Sequence, residues 1–504
     1  FNNPSRVSTN CVMKKKYLVI ISAILMAFSQ QPWGFGFLAW FSLVPFLFFL
    51  ENKNKIKSII GHSFLWSFLY HLIFFYWLSE NVGLDSQIHR HLILLIVIIV
   101  LSVNILFIYI SYHYLKTHIK RFQSIYILPF LITSVEYLRS LGFYGSAWNS
   151  LSYSQVDYLV ISQNIEYTGI FGLTFWIVLI NVSIYQLINN FDKKNILLLV
   201  SFFMIPWLSG FIIKYSYNDD FDSLNIKVIQ PNISLSEKRV NIMNSIDTMI
   251  SLSNKTNNDS ISLIIWQESS ISTRFIKNSD YNRNFSKSMN NFLNSNNFSL
   301  VVGLDLNDKN KNYNAAILLK SDSVINVYHK QRLVPHVEHT PKIFNKIGLN
   351  IIPMTNFNIG EKLTLFNVNG INFASMICIE SVFPNPTRDL VKNGAEFIVY
   401  IVNDAWYPGN PQLEQHAKRC IYRSIEHRKT VVRCANTGIT MIVDPYGNIT
   451  KKLEFNKAGV IENEILISSK KTFYTKNGDL FSKINVIILL LVISSVIFRR
   501  FYKG

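Results

Sequence analysis

Three side chains with the makings of a nucleophilic site close three apolar stretches. Glu268 ends "LIIWQES", Lys330 ends "VINVYHK", and Cys378 sits at the lip of "FASMICIES". The thiolate is the reactive form of cysteine, and a nearby cation can pull a thiol pKa from about 8.5 down to roughly 3.5–7.5. Lys330 is of the right type to do that and to hold an oxyanion. Glu268 could take the thiol proton and return it to a leaving group. Each residue alone has an ordinary reading. Free cysteine is among the most buried residue types, and Glu268 and Lys330 could be solvated loop residues. Their shared position sets them apart, because sites form at the C-terminal ends of strands in open α/β sheets.

The elements that must position them lie in residues 219–475. There Asn, Ser, Lys and Asp become common and apolar runs shorten to strand length. "LNIKVIQ", "SLIIW", "FSLVVGLDL", "YNAAILLK", "SVINVYH", "NFASMI" and "EFIVYIV" read as strands. "PQLEQHAKRCIYRSIEHRKT" reads as a helix and "TVVRCANTGITMIVDPYGN" as a hairpin. This mixture predicts an α/β domain with largely buried sheets.

The flanking sequence is different. A membrane span needs about 20 apolar residues, and candidates lie at 16–31, 34–50, 58–79, 91–113, 122–141, 162–189, 195–214 and 484–498. The expected organisation is transmembrane helices 1–7 in residues 13–218, a polar domain in 219–475, and helix 8 with a short tail in 476–504. Residue 1 is Phe, and the stretch opening "MKKKYLVIISAILMAF" at Met13 reads as the natural start, with 1–12 an upstream extension. Further apolar segments follow at once, so this stretch reads as a retained helix and not a cleaved signal peptide.

The chain has 504 residues, is 49% hydrophobic and 16% charged, and carries a formal net charge of +18. Basic residues cluster in alternate loops: Lys14–Lys16, then Lys53, Lys55 and Lys57, then Lys116, Lys120 and Arg121, then Lys193 and Lys194, and finally Arg499, Arg500 and Lys503. The positive-inside rule puts those loops and both termini in the cytoplasm, and the polar domain on the outer side. The charge is thus largely topological and does not call for nucleic acid. There is no Cys-x-x-Cys pair, and "HVEH" lies between Pro335 and Pro341, where the helix a metal pair needs is disfavoured. Neither a metal nor a cofactor is expected. Cys420 and Cys434 read as unreactive, with a disulfide between them left open.

Glu268, Lys330 and Cys378, in this order at strand ends, resemble the nitrilase superfamily of carbon–nitrogen hydrolases. "QPNIS", "WQES", "YHKQRLVPHVEHTP", "CIESVFP", "NDAWY" and "ANTGIT", inside an eight-helix layout, resemble the apolipoprotein N-acyltransferases of bacterial inner membranes. The resemblance implies a multi-span α-helical membrane domain of about eight helices, plus a nitrilase-like αββα sandwich outside the membrane. It implies an enzyme in which Cys378 takes an acyl chain from a phospholipid, phosphatidylethanolamine being the expected donor. The thioester then passes the chain to the α-amino group of a lipoprotein's diacylglyceryl-cysteine. Glu268 would be the base and Lys330 the oxyanion holder. Glu338 would orient Lys330 or the amine, Glu380 would order the shell around Cys378, and Asn314 would support Lys330 and the glutamates. Trp406 and Tyr407 would close over the acyl chain. Trp148, Tyr153 and Gln155, in an aromatic loop after helix 5, would line the lipid entrance. A bacterial inner-membrane monomer with a periplasmic catalytic domain is expected. Three departures touch substrate recognition: Ile379 where Tyr is common, Lys238 and Arg239 where a Trp is common, and His336–Val337 where Phe-Gly is common. Two other readings stay open: a membrane-tethered amidase that hydrolyses its thioester, and a transporter or receptor with a non-catalytic binding domain.

Overall fold

The computed structural model describes all residues except 1–3, 53–54, 85, 120–123, 143–144, 217–220, 241, 256–259, 273–287, 295–297, 322, 336, 340–354, 408, 410 and 504. The side chains of 4–15, 238–240, 242–243 and 500–503 are likewise outside the description, so the departures at Lys238, Arg239 and His336 fall outside it. The chain divides into two compact units. One comprises residues 1–217, 409–411 and 479–504, and the other residues 218–408 and 412–478.

In the first unit, five helices among the described residues are long and apolar enough to cross a membrane: Ile56–Glu80, Gln87–His118, Ile170–Asn189, Lys193–Ser216 and Leu480–Arg499. Lys16–Ser29 and Gly36–Glu51 are shorter apolar helical stretches, and the expected 122–141 span contracts to Ile127–Ser140. This is a membrane protein. Its core is aromatic: Phe46 stacks on Trp66 at 5.8 Å and meets Tyr109 edge-on at 4.7 Å. Glu136 accepts from Ser150 Oγ and Thr174 Oγ1, both at 2.7 Å, and from the Leu151 N–H at 3.0 Å. Three donors converge on the same carboxylate.

The segment expected as the second span is two pieces, a 3-10 turn at Gly36–Trp40 and an α-helix at Val44–Glu51. Pro45 explains the restart, since proline suits a helix's first turn and breaks its interior. A break inside hydrocarbon leaves backbone groups that lipid cannot satisfy. Asn181, fully buried on the Ile170–Asn189 helix, fills that need. Its Oδ1 accepts the Leu43 N–H at 2.8 Å, and its Nδ2 donates to the Ala39 carbonyl at 2.7 Å. Replacing it by leucine strands both groups, at roughly 1–3 kcal/mol for each. Asn181→Leu is therefore expected to lower the unfolding temperature of the detergent-solubilised protein. A wild-type melting curve would mean the break does not depend on Asn181.

Among its described residues the second unit carries thirteen strands: β1 (Asp222–Gln230), β2 (Leu263–Ile265), β3 (Ile271–Ser272), β4 (Ser299–Asp308), β5 (Lys311–Lys320), β6 (Ser323–His329), β7 (Leu365–Val368), β8 (Ile371–Ile377), β9 (Phe397–Val402), β10 (Val431–Ala435), β11 (Thr440–Val443), β12 (Ile449–Leu453) and β13 (Gly459–Ile467). They form two sheets, ordered β13-β1-β2-β4-β5-β6, with β3 beside β4, and β12-β11-β10-β9-β8-β7. Strands β1, β2 and β4 run parallel, as do β8, β9 and β10. Side chains alternate between faces along a strand. Ile226, Val228, Leu263 and Ile265 of the first sheet thus share one buried cluster with Phe373, Ile377, Phe397, Val399 and Ile401 of the second. The opposite face of the first sheet, with Ile229, Ile264 and Trp266, packs on Ile246 and Met249 of the Ile242–Ser253 helix. Helices Pro384–Lys392 and Gln412–His427 follow β8 and β9. The architecture is the nitrilase-like αββα sandwich, with continuous hydrophobic strands as expected of sheets buried on both faces.

Candidate active site

The parallel strands of each sheet end at a common edge, and these ends carry the predicted residues. Glu268 follows β2, Lys330 follows β6 and Cys378 follows β8. Strand β5 runs opposite to β4 and β6, so Asn314, near its start, reaches the same edge. The backbone locks these positions together, with the Lys330 N–H bonded to the Asn314 carbonyl at 2.8 Å. The turn carrying Glu268 lies against Gly303 of β4. A Cβ on Gly303 would come within 2.6 Å of the Gln267 carbonyl oxygen and of Glu268 Cα, so only glycine admits this approach.

Lys330 is 1% exposed and bridges two carboxylates, with Nζ 3.1 Å from Glu268 Oε1 and 2.9 Å from Glu338 Oε1. Asn314 Nδ2 donates to the same two oxygens, at 2.8 Å each. The outer oxygens are held by backbone: Glu268 Oε2 accepts the Asn403 N–H at 2.8 Å, and Glu338 Oε2 accepts the Val334 N–H at 2.8 Å. Burial alone would push the Lys330 ammonium down in pKa, but Glu268 and Glu338 reverse this and hold it well above its ordinary value. Lys330 therefore stays charged. An ammonium has three N–H donors; two point at carboxylates, and the third meets no acceptor among the described residues.

Cys378 is a free cysteine, part-exposed as a residue, with φ +53°, a conformation that costs a non-glycine residue of order 1–3 kcal/mol. Strand β8 stops at Ile377, and residues Cys378–Val382 form a 3-10 turn. Glu380 thus lies beyond the strand and closes the turn on itself. Its Oε2 accepts the Ile377 N–H at 2.8 Å, while Oε1 accepts Tyr328 Oη at 2.8 Å and the Gln331 and Arg332 N–H groups at 2.7 and 3.1 Å. Fully buried, this carboxylate ties the cysteine turn to the segment just after Lys330.

The thiol itself differs from expectation. Burial and the Glu268 carboxylate push Cys378 well above the ordinary thiol value, and Lys330 only partly opposes them. A cation is present, but two carboxylates already claim it. The resting group is a thiol, so a base must take its proton when it reacts. Removing the Glu268 charge should therefore bring the thiolate in at lower pH. In Glu268→Gln, alkylation of Cys378 by iodoacetamide is expected to set in at lower pH than in wild type, while turnover falls roughly 10²–10⁴-fold for want of the base. Peptide mass mapping across a pH series checks both halves. An unchanged alkylation profile would remove Glu268 from the thiol's surroundings.

Trp406 and Tyr407 are part-exposed, in the turn after β9, where the Tyr407 N–H bonds the Asp404 carbonyl at 3.1 Å. Trp148, Tyr153 and Gln155 are packing residues of the first unit. Trp148 lies against Trp77 with centroids 5.5 Å apart, and Tyr153 is 1% exposed. Gln155 donates to the Gly36 carbonyl at 2.9 Å and accepts from Trp40 Nε1 at 2.8 Å. Cys420 and Cys434 are free and buried, and Cys434 Sγ donates to the Ile229 and Ile265 carbonyls at 3.3 and 3.4 Å.

Sequence reasoning missed the Asn403 N–H that caps Glu268, and the charged group behind it. Asp404 Oδ2 lies 2.7 Å from Arg433 Nη2, and Asp404 Oδ1 lies 2.9 Å from His416 Nδ1, all three at most 2% exposed. The only signal was the Asn-Asp pair at the end of an apolar run. His416 and Arg433, on a helix and a strand, carry no spacing cue.

Comparison with known proteins follows the same division. The family model described as the apolipoprotein N-acyltransferase N-terminal domain matches residues 22–183, and the carbon–nitrogen hydrolase model matches residues 226–470. A Thermotoga maritima protein named apolipoprotein N-acyltransferase is 28% identical over 483 residues, covering 94% of this chain and 92% of that one. A Borreliella burgdorferi protein of the same name is 24% identical, covering 98% and 96%. One from Rickettsia typhi is 29% identical, covering 74% and 76%.

Proposed function

Because this chain belongs to the apolipoprotein N-acyltransferase family, we propose that it moves an acyl chain from a membrane phospholipid to the α-amino group of an apolipoprotein's N-terminal diacylglyceryl-cysteine, through a thioester on Cys378. The observation that carries this reading is a thiol on a strained turn, electrostatically coupled to a carboxylate and to a buried ammonium that spends two of its three donors on carboxylates among the described residues. Glu268 removes the thiol proton as Sγ attacks the ester carbonyl of the donor. The third N–H of Lys330 receives the oxyanion. The tetrahedral intermediate collapses, and the departing lysophospholipid alkoxide takes the proton from Glu268. The amine of the second substrate then attacks the thioester and gives its proton to Glu268. Collapse forms the amide and expels the Cys378 thiolate, which recovers the proton. Splitting ester-to-amide transfer through a thioester replaces one difficult step by two easier ones, and the amine meets a thiolate leaving group instead of an alkoxide.

Glu338 and Asn314 hold Lys330 between the carboxylates, and Glu380 holds the cysteine turn. Residues 219–475 form the catalytic domain, which alternate-loop charge places in the periplasm, with both termini cytoplasmic. Trp406 and Tyr407 contact the acyl chain, and Trp148, Tyr153 and Gln155 shape the lipid entrance. Phosphatidylethanolamine is the donor, and the enzyme works as a monomer. The membrane helices suit substrates whose chains leave a bilayer only at about 0.8 kcal/mol per CH₂.

The test is acyl trapping. Detergent-purified protein is incubated with acyl-labelled phosphatidylethanolamine, quenched and mapped by peptide mass. A hydroxylamine-labile label on Cys378 that a diacylglyceryl-cysteine peptide discharges as an amide is the expected result. Label discharged only to water would make the protein a tethered hydrolase, and no label from any phospholipid would overturn the reading.

A further inference from the structure

Behind Glu268 lies a buried charged group that the proposed steps do not use. The Asn403 N–H bonds Glu268 Oε2 at 2.8 Å, and the next residue, Asp404, is a buried carboxylate 2% exposed. Arg433 Nη2 meets its Oδ2 at 2.7 Å, while His416 Nδ1 and Gln412 Nε2 meet its Oδ1 at 2.9 and 3.5 Å. Arg433 is itself fixed, with Nη1 donating to the Ile439 carbonyl at 2.5 Å. Gly438 presses on the group from the remaining side. A Cβ there would fall 2.2 Å from Asp404 Oδ2 and 3.0 Å from Asp404 Cβ. Asn403 is tied in as well, its Oδ1 accepting from Asn436 Nδ2 at 3.1 Å. Three separate elements, the Gln412–His427 helix, β10 and the turn after it, therefore grip the single residue that follows the donor to Glu268.

We propose that Asp404, Arg433 and His416 are positioning residues that hold the Asn403 N–H against Glu268 Oε2 and thereby set the orientation and basicity of the catalytic carboxylate. The inference rests on the assignment of Glu268 as the base. Two oxygens of Glu268 are used differently: Oε1 is taken by Lys330 and Asn314, so Oε2 is the oxygen left to accept a proton. A donor fixed on Oε2 disperses its charge and limits its basicity. Loss of that donor concentrates the charge, and a more strongly negative neighbour opposes the Cys378 thiolate. The charged groups facing Glu268 and Cys378 are Lys330, Glu338, Asp404 and Arg433. A useful variant must leave their sum unchanged.

Two variants do so. Asp404→Asn combined with Arg433→Gln removes one charge of each sign, and Gly438→Ala displaces Asp404 without altering any charge. For each, circular dichroism and thermal melting establish the fold in detergent. The pH profile of Cys378 alkylation by iodoacetamide and the single-turnover rate of acyl-enzyme formation from labelled phosphatidylethanolamine are then measured. The expected result is an alkylation midpoint displaced upward by about half a pH unit or more. The acylation rate falls at least about tenfold at saturating lipid, with the lipid concentration at half-rate unchanged. A purely structural role would lower the amount of folded protein but leave the midpoint in place. A wild-type midpoint in either folded variant overturns the proposal. The alkylation arm needs no lipid. A displaced midpoint in a protein that never forms an acyl-enzyme would uphold the positioning role and sink the acyl-transfer reading.

Discussion

Cys378→Ala is expected to abolish acyl transfer, with turnover down by at least about 10³-fold and no covalent acyl adduct, while the protein folds and binds phospholipid. The separation of the two effects follows from the geometry. The strained φ of +53° belongs to the backbone turn, which Glu380 holds through the Ile377 N–H and three donors beyond it. Alanine meets the same backbone cost as cysteine, so the turn survives. What is lost is the only thiol in the unit that is not fully buried. Cys378→Ser is the sharper control. A hydroxyl is far harder to ionise than a thiol, and Glu268 next to it is a carboxylate whose donors weaken it further, so serine should be nearly as inactive as alanine. Acyl trapping and melting curves on all three proteins check this. Transfer at more than a few per cent of the wild-type rate in the alanine variant would place the nucleophile elsewhere.

Lys330→Met has the second-largest expected effect, and it falls on both activity and stability. Removing one partner of a buried ion pair leaves the other charge uncompensated, at about 3–5 kcal/mol. Here the ammonium separates two carboxylates, at 3.1 and 2.9 Å, so methionine leaves Glu268 and Glu338 facing each other. One of them must take up a proton, and the variant should regain stability as the pH falls. That sign is opposite to the usual acid sensitivity of paired carboxylates. Activity should fall about 10²–10³-fold or more from loss of the oxyanion donor alone. Combining Lys330→Met with Glu338→Gln removes the repulsion and should restore most of the stability but none of the activity. If the double variant stays as unstable as the single one, the ammonium is not the group that separates the carboxylates.

How much of this could be read beforehand depended on what each residue's signal was made of. The strand ends carrying Glu268, Lys330 and Cys378 were legible because strand-length apolar runs stop abruptly at polar residues. Asn314 was legible only through resemblance, since its place opposite Lys330 comes from the β5–β6 register. The thiol's protonation was misread because residue type reveals a neighbouring cation but not that two carboxylates have claimed it. How Glu380 holds the cysteine turn was not legible, because nothing in the apolar run shows that β8 ends at Ile377 and the chain turns there. In the membrane unit, hydropathy summed over a window cannot register a three-residue break, although Pro45 marked it. Asp404, Arg433 and His416 lay dark because each is ordinary by itself and only the fold brings them within 3 Å.

The raised thiol pKa also bears on the chemical environment in which such a protein works. Peroxides and disulfides react with thiolates, and susceptibility follows thiolate character. A cysteine kept in its protonated form by burial and by Glu268, as Cys378 is, is a poor target for sulfenic acid formation and for exchange with oxidised partners. A thiol held in this form resists oxidation without a dedicated reductant or a resolving cysteine. The two other thiols of the unit, buried at Cys420 and Cys434, add no partner with which it could be trapped.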